Sequence, residues 1–281
     1  MLSFIVWDPA REILPWNVPF LERPVLWYGF FFALGFFLAY FFLVYLLRNY
    51  FCQDPFCKEK AKSIAERALV YSVIGTVIGA RLGDVFFYQS WLSIVRDPLS
   101  IIRVWEGGLA SHGGAIGVLI AFWILFRKIR KQIPQRSFLV FLDIVCIPIA
   151  LVAVFIRIGN FFNQEILGIC TELPWAIIFV HPADGSFPCP RHPAQLYEAV
   201  CYLLTFAFLV YLWRKDRTFQ RQGKIFGWFL VLIFGFRLLI ESVKVEQSAW
   251  IGHSYLTMGQ WLSIPFVLVG LFLLLKGHKR R

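Results

Sequence analysis

Long apolar stretches separated by short polar segments dominate the chain. Seven of these stretches are close to the ~20 apolar residues that one helix needs to cross the hydrocarbon core of a membrane. We therefore predict an all-α polytopic membrane protein that forms a single domain over residues 1–281. The predicted transmembrane helices span residues 24–47, 68–89, 107–126, 137–158, 195–213, 225–242 and 257–275.

The composition supports a membrane protein. Apolar residues make up 59% of the 281 residues and aromatic residues 19%, which is more than a water-soluble domain of this length can bury. Residues 1–23 carry Asp8, Glu12 and Glu22 before any apolar stretch begins, so we expect no cleavable signal peptide. The net charge of +11 comes from short basic clusters between spans, which indicates a topology signal more than a nucleic-acid site.

The basic residues alternate between the two sides of the predicted membrane. The loops 48–67, 127–136 and 214–224 hold five Lys or Arg each and the tail after Leu275 holds four, whereas the N-terminal segment and the three other loops share six. Basic loops stay in the cytoplasm. We predict an outside N-terminus and a cytoplasmic C-terminus, with a small head region outside the membrane that is formed mainly by residues 159–194.

Three arginines fall inside predicted spans, where a charge costs about 2.5 to 3.5 kcal/mol and is retained mainly around a polar cavity. Arg81, Arg157 and Arg237 each lie beyond the middle of a span that runs outwards. Tyr28 and His112 begin inward-running spans at the same outer level. The sequence therefore predicts that polar chemistry is concentrated in the outer half of the membrane.

A glycine-dense segment begins the third span. His112 lies next to Gly113 and Gly114 within the run from Ser111 to Gly117. A histidine titrates near neutral pH and can accept the proton of a thiol, while the glycines permit close approach of a ligand. The alternative is that the glycines serve helix packing and the histidine lies at the membrane interface.

The outer end of the fourth span combines a cation, amides and a carboxylate. Arg157, Asn160, Glu165 and Gly168 follow one another within twelve residues. A guanidinium offers a fork of donors that matches phosphate oxygens, and Glu165 can orient an arginine. The alternative is a polar cap that satisfies the end of the helix.

The sixth span repeats this combination, because Glu241 lies one helical turn after Arg237. We predict that Arg237 is a second phosphate-binding cation oriented by Glu241, with a charge pair neutralised for membrane insertion as the alternative. Arg157 and Arg237 would then hold a phosphate together, with Glu165 and Glu241 as their orienting partners.

Two further patterns are weaker. Arg81-Leu-Gly83-Asp84 and Arg157-Ile-Gly159-Asn160 match at four positions, which leaves both duplication and coincidence open. In the stretch from His192 to Glu198, which begins the fifth span, a loop-fixing role is favoured over a direct one.

Other classes of site lack their motifs. The chain has no GxSxG, HExxH or Walker A sequence, so a serine hydrolase, a zinc protease and an NTPase are disfavoured. No pattern predicts a metal or a cofactor. Cys170 and Cys189 share an outer loop and are able to form a disulfide there, but the sequence leaves this open.

At these positions the chain resembles the prolipoprotein diacylglyceryl transferase family. The resemblance runs from the first span to the last and rests on seven motifs. They are Leu26-Trp27-Tyr28-Gly29, Gly79-Ala80-Arg81-Leu82-Gly83, the His-Gly-Gly element at His112, the segment 157–168, the segment 192–198, Arg237 with Glu241, and Met258-Gly259-Gln260.

The resemblance implies transfer of an sn-1,2-diacylglyceryl group from phosphatidylglycerol to the lipobox cysteine of a prolipoprotein, at the outer side of a bacterial inner membrane. It implies catalytic roles for His112, Arg157, Arg237 and Glu241. The expected substrate-binding residues are Tyr28, Arg81, Gly113, Gly114, Asn160, Glu165 and Gly168. The main alternative is an anion or lipid transporter with an arginine-lined outer cavity, although the inner halves of the spans offer little polar lining beyond Asp143.

Overall fold

The fold is that of a helical, multi-pass membrane protein with a small sheet. The computed structural model describes residues 4–13, 24–51, 57–87, 91–102, 111–133, 137–217, 219, 221–245 and 256–276. Eight helices occur in these ranges. They are α1 (Trp27–Tyr50), α2 (Cys57–Phe87), α3 (Trp91–Arg96), α4 (Ser111–Ile129), α5 (Phe138–Phe162), α6 (Ala194–Lys215), α7 (Lys224–Ile240) and α8 (Met258–Lys276).

Six helices within the described ranges are long and apolar enough to cross a membrane, namely α1, α2, α5, α6, α7 and α8. α4 coincides with the predicted third span, and its 19 residues are apolar up to Arg127. The predicted boundaries hold within about four residues except at α2, which begins at Cys57 instead of residue 68. Its first turns are charged, and they continue the helix into the polar loop with the exposed pair Lys62–Glu66 at 3.8 Å.

The prediction of an all-α fold is wrong in one detail, because three short strands form a sheet in the order β1-β2-β3. β1 (Ile5–Trp7) runs parallel to β2 (Ile177–Phe179), with Trp7 opposite Phe179. β2 pairs antiparallel with β3 (Pro190–Arg191). Strands of two or three residues carry no alternating pattern long enough to detect, which is why the pairing of the N-terminal segment with this region was not predicted.

The chain divides into two compact units. The larger unit comprises Met1–Phe42 and Leu142–Arg281, and the smaller unit comprises Leu43–Phe141. The larger unit contains the sheet, most of α5, and α6 to α8. The smaller unit contains α2 to α4.

In the smaller unit, α2 and α4 are in backbone contact along a stripe of glycines. A methyl group added at Gly75 would lie 2.7 Å from the carbonyl oxygen of Gly117, and one added at Gly79 would collide with the carbonyl of Gly113. Gly113 in turn faces Gly79 and Gly83. These glycines let the two helices approach more closely than any side chain would allow.

In the larger unit, a buried carboxylate of α5 fixes the start of α7. Asp143 accepts hydrogen bonds from the backbone N–H groups of Gly223 at 2.6 Å and Phe226 at 2.7 Å. The N–H groups in the first turn of a helix have no partner within the helix, and a carboxylate also interacts favourably with its dipole. Asp143 therefore anchors the helix whose far end carries Arg237.

The head region, residues 163–193, packs on the end of α5. Its apolar core contains Phe161, Leu167, Ile177 and Phe179. A disulfide joins Cys170 and Cys189, the pairing that the sequence left open. The pKa of Asp184 in this loop is lowered, because hydrogen bonds from Ser186 and the charge of Arg191 outweigh the effect of its slight burial.

Candidate functional site

The last turn of α5 carries the two residues that start the site. Arg157 is buried, with 9% of its surface exposed, and its Nη1 donates to Oδ1 of Asn160 at 2.9 Å. The two residues are three positions apart and so lie on one face of the helix. Gly159 lies between them and faces Tyr28 of α1, because a methyl group there would be 3.1 Å from Cδ2 of the tyrosine.

A tight turn then brings Glu165 back towards α5. Asn160 donates from Nδ2 to Oε1 of Glu165 at 2.5 Å, and the N–H of Glu165 donates to the carbonyl of Asn160 at 3.1 Å. The neighbours Gln164 and Ile166 have φ values of 51° and 59°. A β-branched residue at positive φ is strained, and such strain persists where surrounding contacts impose it. Here Gln195 supplies one contact by donating to the carbonyl of Glu165 at 2.7 Å.

Glu198 of α6 lies at the centre of the site, with no exposed surface. Its Oε2 is 2.9 Å from Nε of Arg157. Its Oε1 accepts hydrogen bonds from Lys244 Nζ at 2.8 Å and from the Tyr202 hydroxyl at 3.2 Å. The sequence analysis favoured a loop-fixing role for this stretch, whereas Glu198 is the ion-pair partner of Arg157. The i, i+3, i+7 spacing of Gln195, Glu198 and Tyr202 on one helical face was the signal for it.

The predicted pairing of Arg237 with Glu241 is not the contact that the structure has. A 3₁₀ turn over Glu241–Val243 follows α7, and Oε2 of Glu241 lies 3.1 Å from Nζ of Lys244. Nε of Arg237 is buried without a hydrogen-bond partner among the described residues. Arg237 lies within electrostatic range of Glu198 and Lys244. The Arg237 side chain is therefore close to the site, and its Nε makes no hydrogen bond to Glu241.

Lys244 is held by backbone pairing with the head region. Ile169 donates its N–H to the carbonyl of Val243 at 2.9 Å, and Val245 donates to Leu167 at 3.0 Å. This places Lys244 opposite Gly168. Burial lowers the pKa of the Lys244 ammonium below its ordinary value, although Glu198 raises it.

Two glycines allow close approach to these residues. A methyl group at Gly168 would collide with the carbonyl of His192, which explains a glycine at this position. A methyl group at Gly259, in the first turn of α8, would collide with the carboxylate of Glu241. Residues Thr257 and Gln260 cap this helix reciprocally, with N–H to side-chain distances of 3.0 and 3.2 Å.

The structure thus joins most of the predicted residues of the larger unit into one network. We call this network the Arg157 cluster, and it consists of Arg157, Asn160, Glu165, Glu198, Glu241 and Lys244. Tyr28 lies within electrostatic range of Arg157 and Glu165. Glu198 and Lys244 were absent from the predicted site.

The predicted residues of the smaller unit have different surroundings. Arg81 is buried, with 5% exposed, and donates from Nε to the carbonyl of Ile101 at 3.1 Å and from Nη2 to that of Ser100. Its Nη1 is 3.5 Å from Oδ2 of Asp84. Gly113 packs against the backbone of α2. A methyl group added at Gly114 would be no closer than 3.5 Å to an atom of that helix. His112 belongs to the first turn of α4, and its side chain lies outside the described residues.

The guanidinium groups near the Arg157 cluster offer donors to an anionic ligand. Arg157, Arg237 and Lys244 are balanced in formal charge by the carboxylates of Glu165, Glu198 and Glu241, of which Glu198 pairs with Arg157 and Lys244, and Glu241 pairs with Lys244. A guanidinium has five N–H donors, and on Arg157 one N–H of Nη1 is taken by Asn160, while Nε faces Glu198 at 2.9 Å in an ion pair without hydrogen-bond geometry. No group of His, Cys, Asp and Glu within the described ranges is arranged to hold a metal ion.

Comparisons with known proteins agree on one family. The family model described as Prolipoprotein diacylglyceryl transferase matches residues 17–276. Proteins named phosphatidylglycerol–prolipoprotein diacylglyceryl transferase are similar to the chain: one from Tolumonas auensis is 41% identical over 92% of the chain and 93% of its own length. A relative from Porphyromonas gingivalis is 38% identical over 99% of the chain and 96% of its own length. A relative from Protochlamydia amoebophila is 50% identical over 77% of the chain, which spans 58% of that longer protein.

Proposed function

Because the chain belongs to the prolipoprotein diacylglyceryl transferase family, we propose that the Arg157 cluster together with Arg237 binds the phosphate of its lipid substrate. The chain is a transferase that moves the diacylglyceryl group of phosphatidylglycerol to a prolipoprotein. Membership of a transferase family argues against the alternative of an anion or lipid transporter.

The observation that carries the site assignment is that Nε of Arg157 and Nε of Arg237 are both buried without a hydrogen-bond partner among the described residues, while Asn160 orients Arg157. A buried donor without a partner costs about 1 to 3 kcal/mol, and more when the group is charged. An anion bound beside it would remove this cost. The phosphate of phosphatidylglycerol is such an anion, and two guanidinium forks match its oxygens.

The proposed reaction is a displacement at the glycerol carbon that bears the phosphate. The thiolate of the prolipoprotein cysteine attacks this carbon and forms a C–S bond, while the C–O bond breaks and its electron pair leaves with glycerol phosphate. The product is a thioether. Arg157 and Arg237 stabilise the negative charge that grows on the departing phosphate, an effect that is strong in a site shielded from water.

The thiol must lose its proton before it attacks, because the thiolate is the nucleophile. We propose His112 as the acceptor, since it belongs to the motif that carries the family resemblance and histidine is the side chain whose ordinary pKa is closest to neutral. Asn160 and Glu165 then orient the arginine, and Tyr28 borders the same end of α5. Gly113 and Gly168 contribute by close packing, and a role for Gly114 in binding substrate stays a prediction.

We further propose seven spans, with α4 as the seventh, an outside N-terminus and a cytoplasmic C-terminus. Loops rich in Lys and Arg alternate along the chain with loops that have few, and this alternation supports the orientation. The Arg157 cluster and the head region would then face the periplasm from the inner membrane of a bacterium.

The function is tested with purified protein, phosphatidylglycerol and a lipobox peptide, in parallel with a peptide in which serine replaces the cysteine. We expect the cysteine peptide alone to gain the mass of a diacylglyceryl group, with glycerol phosphate released in equal amount. Modification of the serine peptide, or no modification of either, would contradict the proposal.

The proton acceptor needs its own test. We expect His112→Gln to lower the transfer rate about 100-fold or more, the usual contribution of a general base. A variant that keeps both the wild-type rate and its pH dependence would show that another group accepts the proton.

A further inference from the structure

The two oxygens of the Glu198 carboxylate are shared between different cations. Arg157 approaches Oε2 through Nε at 2.9 Å, and Lys244 approaches Oε1 through Nζ at 2.8 Å. Arginine and carboxylate side chains often form a bidentate pair, in which both oxygens face one guanidinium. Here Oε1 of Glu198 accepts hydrogen bonds from Lys244 and from the Tyr202 hydroxyl. Only Oε2 is left for Arg157, so the ion pair of Glu198 with Arg157 is monodentate.

This division determines which donors of Arg157 remain for substrate. Glu198 faces the Nε side of the guanidinium as an ion-pair partner, Asn160 accepts from Nη1, and Tyr202 is a further hydrogen-bond partner of the guanidinium. Without Lys244, a buried carboxylate would gain by turning both oxygens towards Arg157. That turn would cover a further donor of Arg157 and neutralise the charge that has to stabilise the phosphate.

Lys244 is itself fixed from two directions. Its backbone is paired with residues 167–169 of the head region, and its ammonium is held by Glu241 at 3.1 Å in addition to Glu198. Only 8% of the residue is exposed. A lysine normally pays a large entropic cost for such order and is almost never buried unless it is paired.

We propose that Lys244 is a positioning residue for the transfer reaction, which holds one oxygen of Glu198 so that Arg157 keeps its remaining donors for the lipid phosphate. In this role Lys244 acts through Glu198, whose Oε1 it holds at 2.8 Å. This inference rests on the proposed function, because it names a further residue of the same site.

The pair is tested by a double-mutant cycle with Lys244→Met and Glu198→Gln, measuring kcat and KM for phosphatidylglycerol. We expect Lys244→Met to lower kcat/KM about tenfold or more in the wild-type background, and about threefold or less when Gln replaces Glu198. Lys244→Arg should retain activity within about threefold, since it preserves the charge. Lys62→Met, at an exposed position of α2, is the matched control and should behave as wild type.

A second variant distinguishes positioning from a general loss of structure. In Lys244→His, the imidazole is charged only below about pH 6.5. It would face Glu198 from α6, Glu241 and Arg237 from α7 and its following turn, and Arg157 from α5. The ratio of its rate to that of wild type should therefore fall as the pH rises from about 6 to about 8.

Three results would overturn the proposal: an equal effect of Lys244→Met in both backgrounds, wild-type rates for Lys244→Met, or a rate ratio for Lys244→His that does not change with pH. If Lys244→Met does not accumulate as folded protein, the Arg and His variants decide. Failure of the proposed function is distinguishable, because the wild-type protein would then transfer nothing from phosphatidylglycerol to the cysteine peptide.

Discussion

Two buried arginines with similar local sequences have different partners in this protein. Arg157 and Arg81 are each followed by a glycine two positions later and by Asn160 or Asp84 three positions later. Each contacts that third residue through Nη1, at 2.9 Å for Asn160 and 3.5 Å for Asp84. The local geometry of the two motifs is therefore alike.

The remaining contacts separate the two motifs. Arg157 is held by the carboxylate of Glu198, which is itself paired with Lys244. Arg81 donates to the carbonyl groups of Ser100 and Ile101, at the end of a 3₁₀ turn over Pro98–Ile101. Carbonyl groups at a helix end need donors, and Arg81 supplies them here. We therefore expect a structural contribution of Arg81 in its own unit, while its role in binding substrate stays a prediction. An arginine inside a span thus indicates a polar interior, while its partners decide whether it serves binding or structure.

The largest expected effect comes from replacing each arginine by lysine. Arg157→Lys should lower kcat/KM about 100-fold or more, because an ammonium cannot contact Glu198, Asn160 and a phosphate with the geometry of a guanidinium. Arg81→Lys should lower the melting temperature of the purified protein and change kcat/KM less than about tenfold, since carbonyl groups also accept from an ammonium.

The measurement is transfer to the lipobox peptide at matched amounts of folded protein. Equal losses of activity in the two variants would contradict the distinction, and would favour the prediction that Arg81 binds substrate. Full activity of Arg157→Lys would contradict the phosphate site itself.

Replacing a glycine in each of the two units should have a smaller effect: Gly79 of α2 and Gly159 of α5 are compared by substitution with alanine. In Gly79→Ala the new methyl group meets the backbone of α4, which cannot move aside, so we expect a loss of about 1 to 3 kcal/mol in stability. In Gly159→Ala the methyl group meets the ring of Tyr28 at 3.1 Å, which can tilt by a few tenths of an ångström. We expect transfer to fall about threefold to tenfold with an unchanged melting temperature, because the displaced side chain borders Arg157.

Thermal unfolding and transfer rates, measured on both variants, check this contrast. A large loss of stability in Gly159→Ala, or a loss of rate without loss of stability in Gly79→Ala, would reverse the assignment of the two regions.

Six of the predicted spans coincide with helices that are long and apolar enough to cross a membrane, because apolar length follows from the cost of polar groups in hydrocarbon. The depth of the charged residues in the membrane stays a prediction. The sequence did not predict that Glu198 and Lys244 meet, since the two residues are 46 positions apart and their contact depends on a backbone pairing between residues 167–169 and 243–245. It also paired Glu241 with Arg237 by helical spacing. The backbone N–H of Glu241 does donate to the carbonyl of Arg237, but the carboxylate of Glu241 contacts Lys244.

The smallest expected effect comes from making the two motifs more alike. Asp84→Asn gives the smaller unit the same Arg-x-Gly-Asn sequence that α5 has. The amide oxygen of an asparagine can accept from Arg81 as that of Asn160 accepts from Arg157, so the contact is kept while one charge is lost. We expect stability to change by about 1 kcal/mol or less, and transfer to stay at the wild-type rate. Melting temperature and kcat/KM check both expectations. A large loss of transfer would mean that the charge of Asp84, and with it the Arg81 motif, serves the reaction, and the difference between the two arginines would then be one of degree.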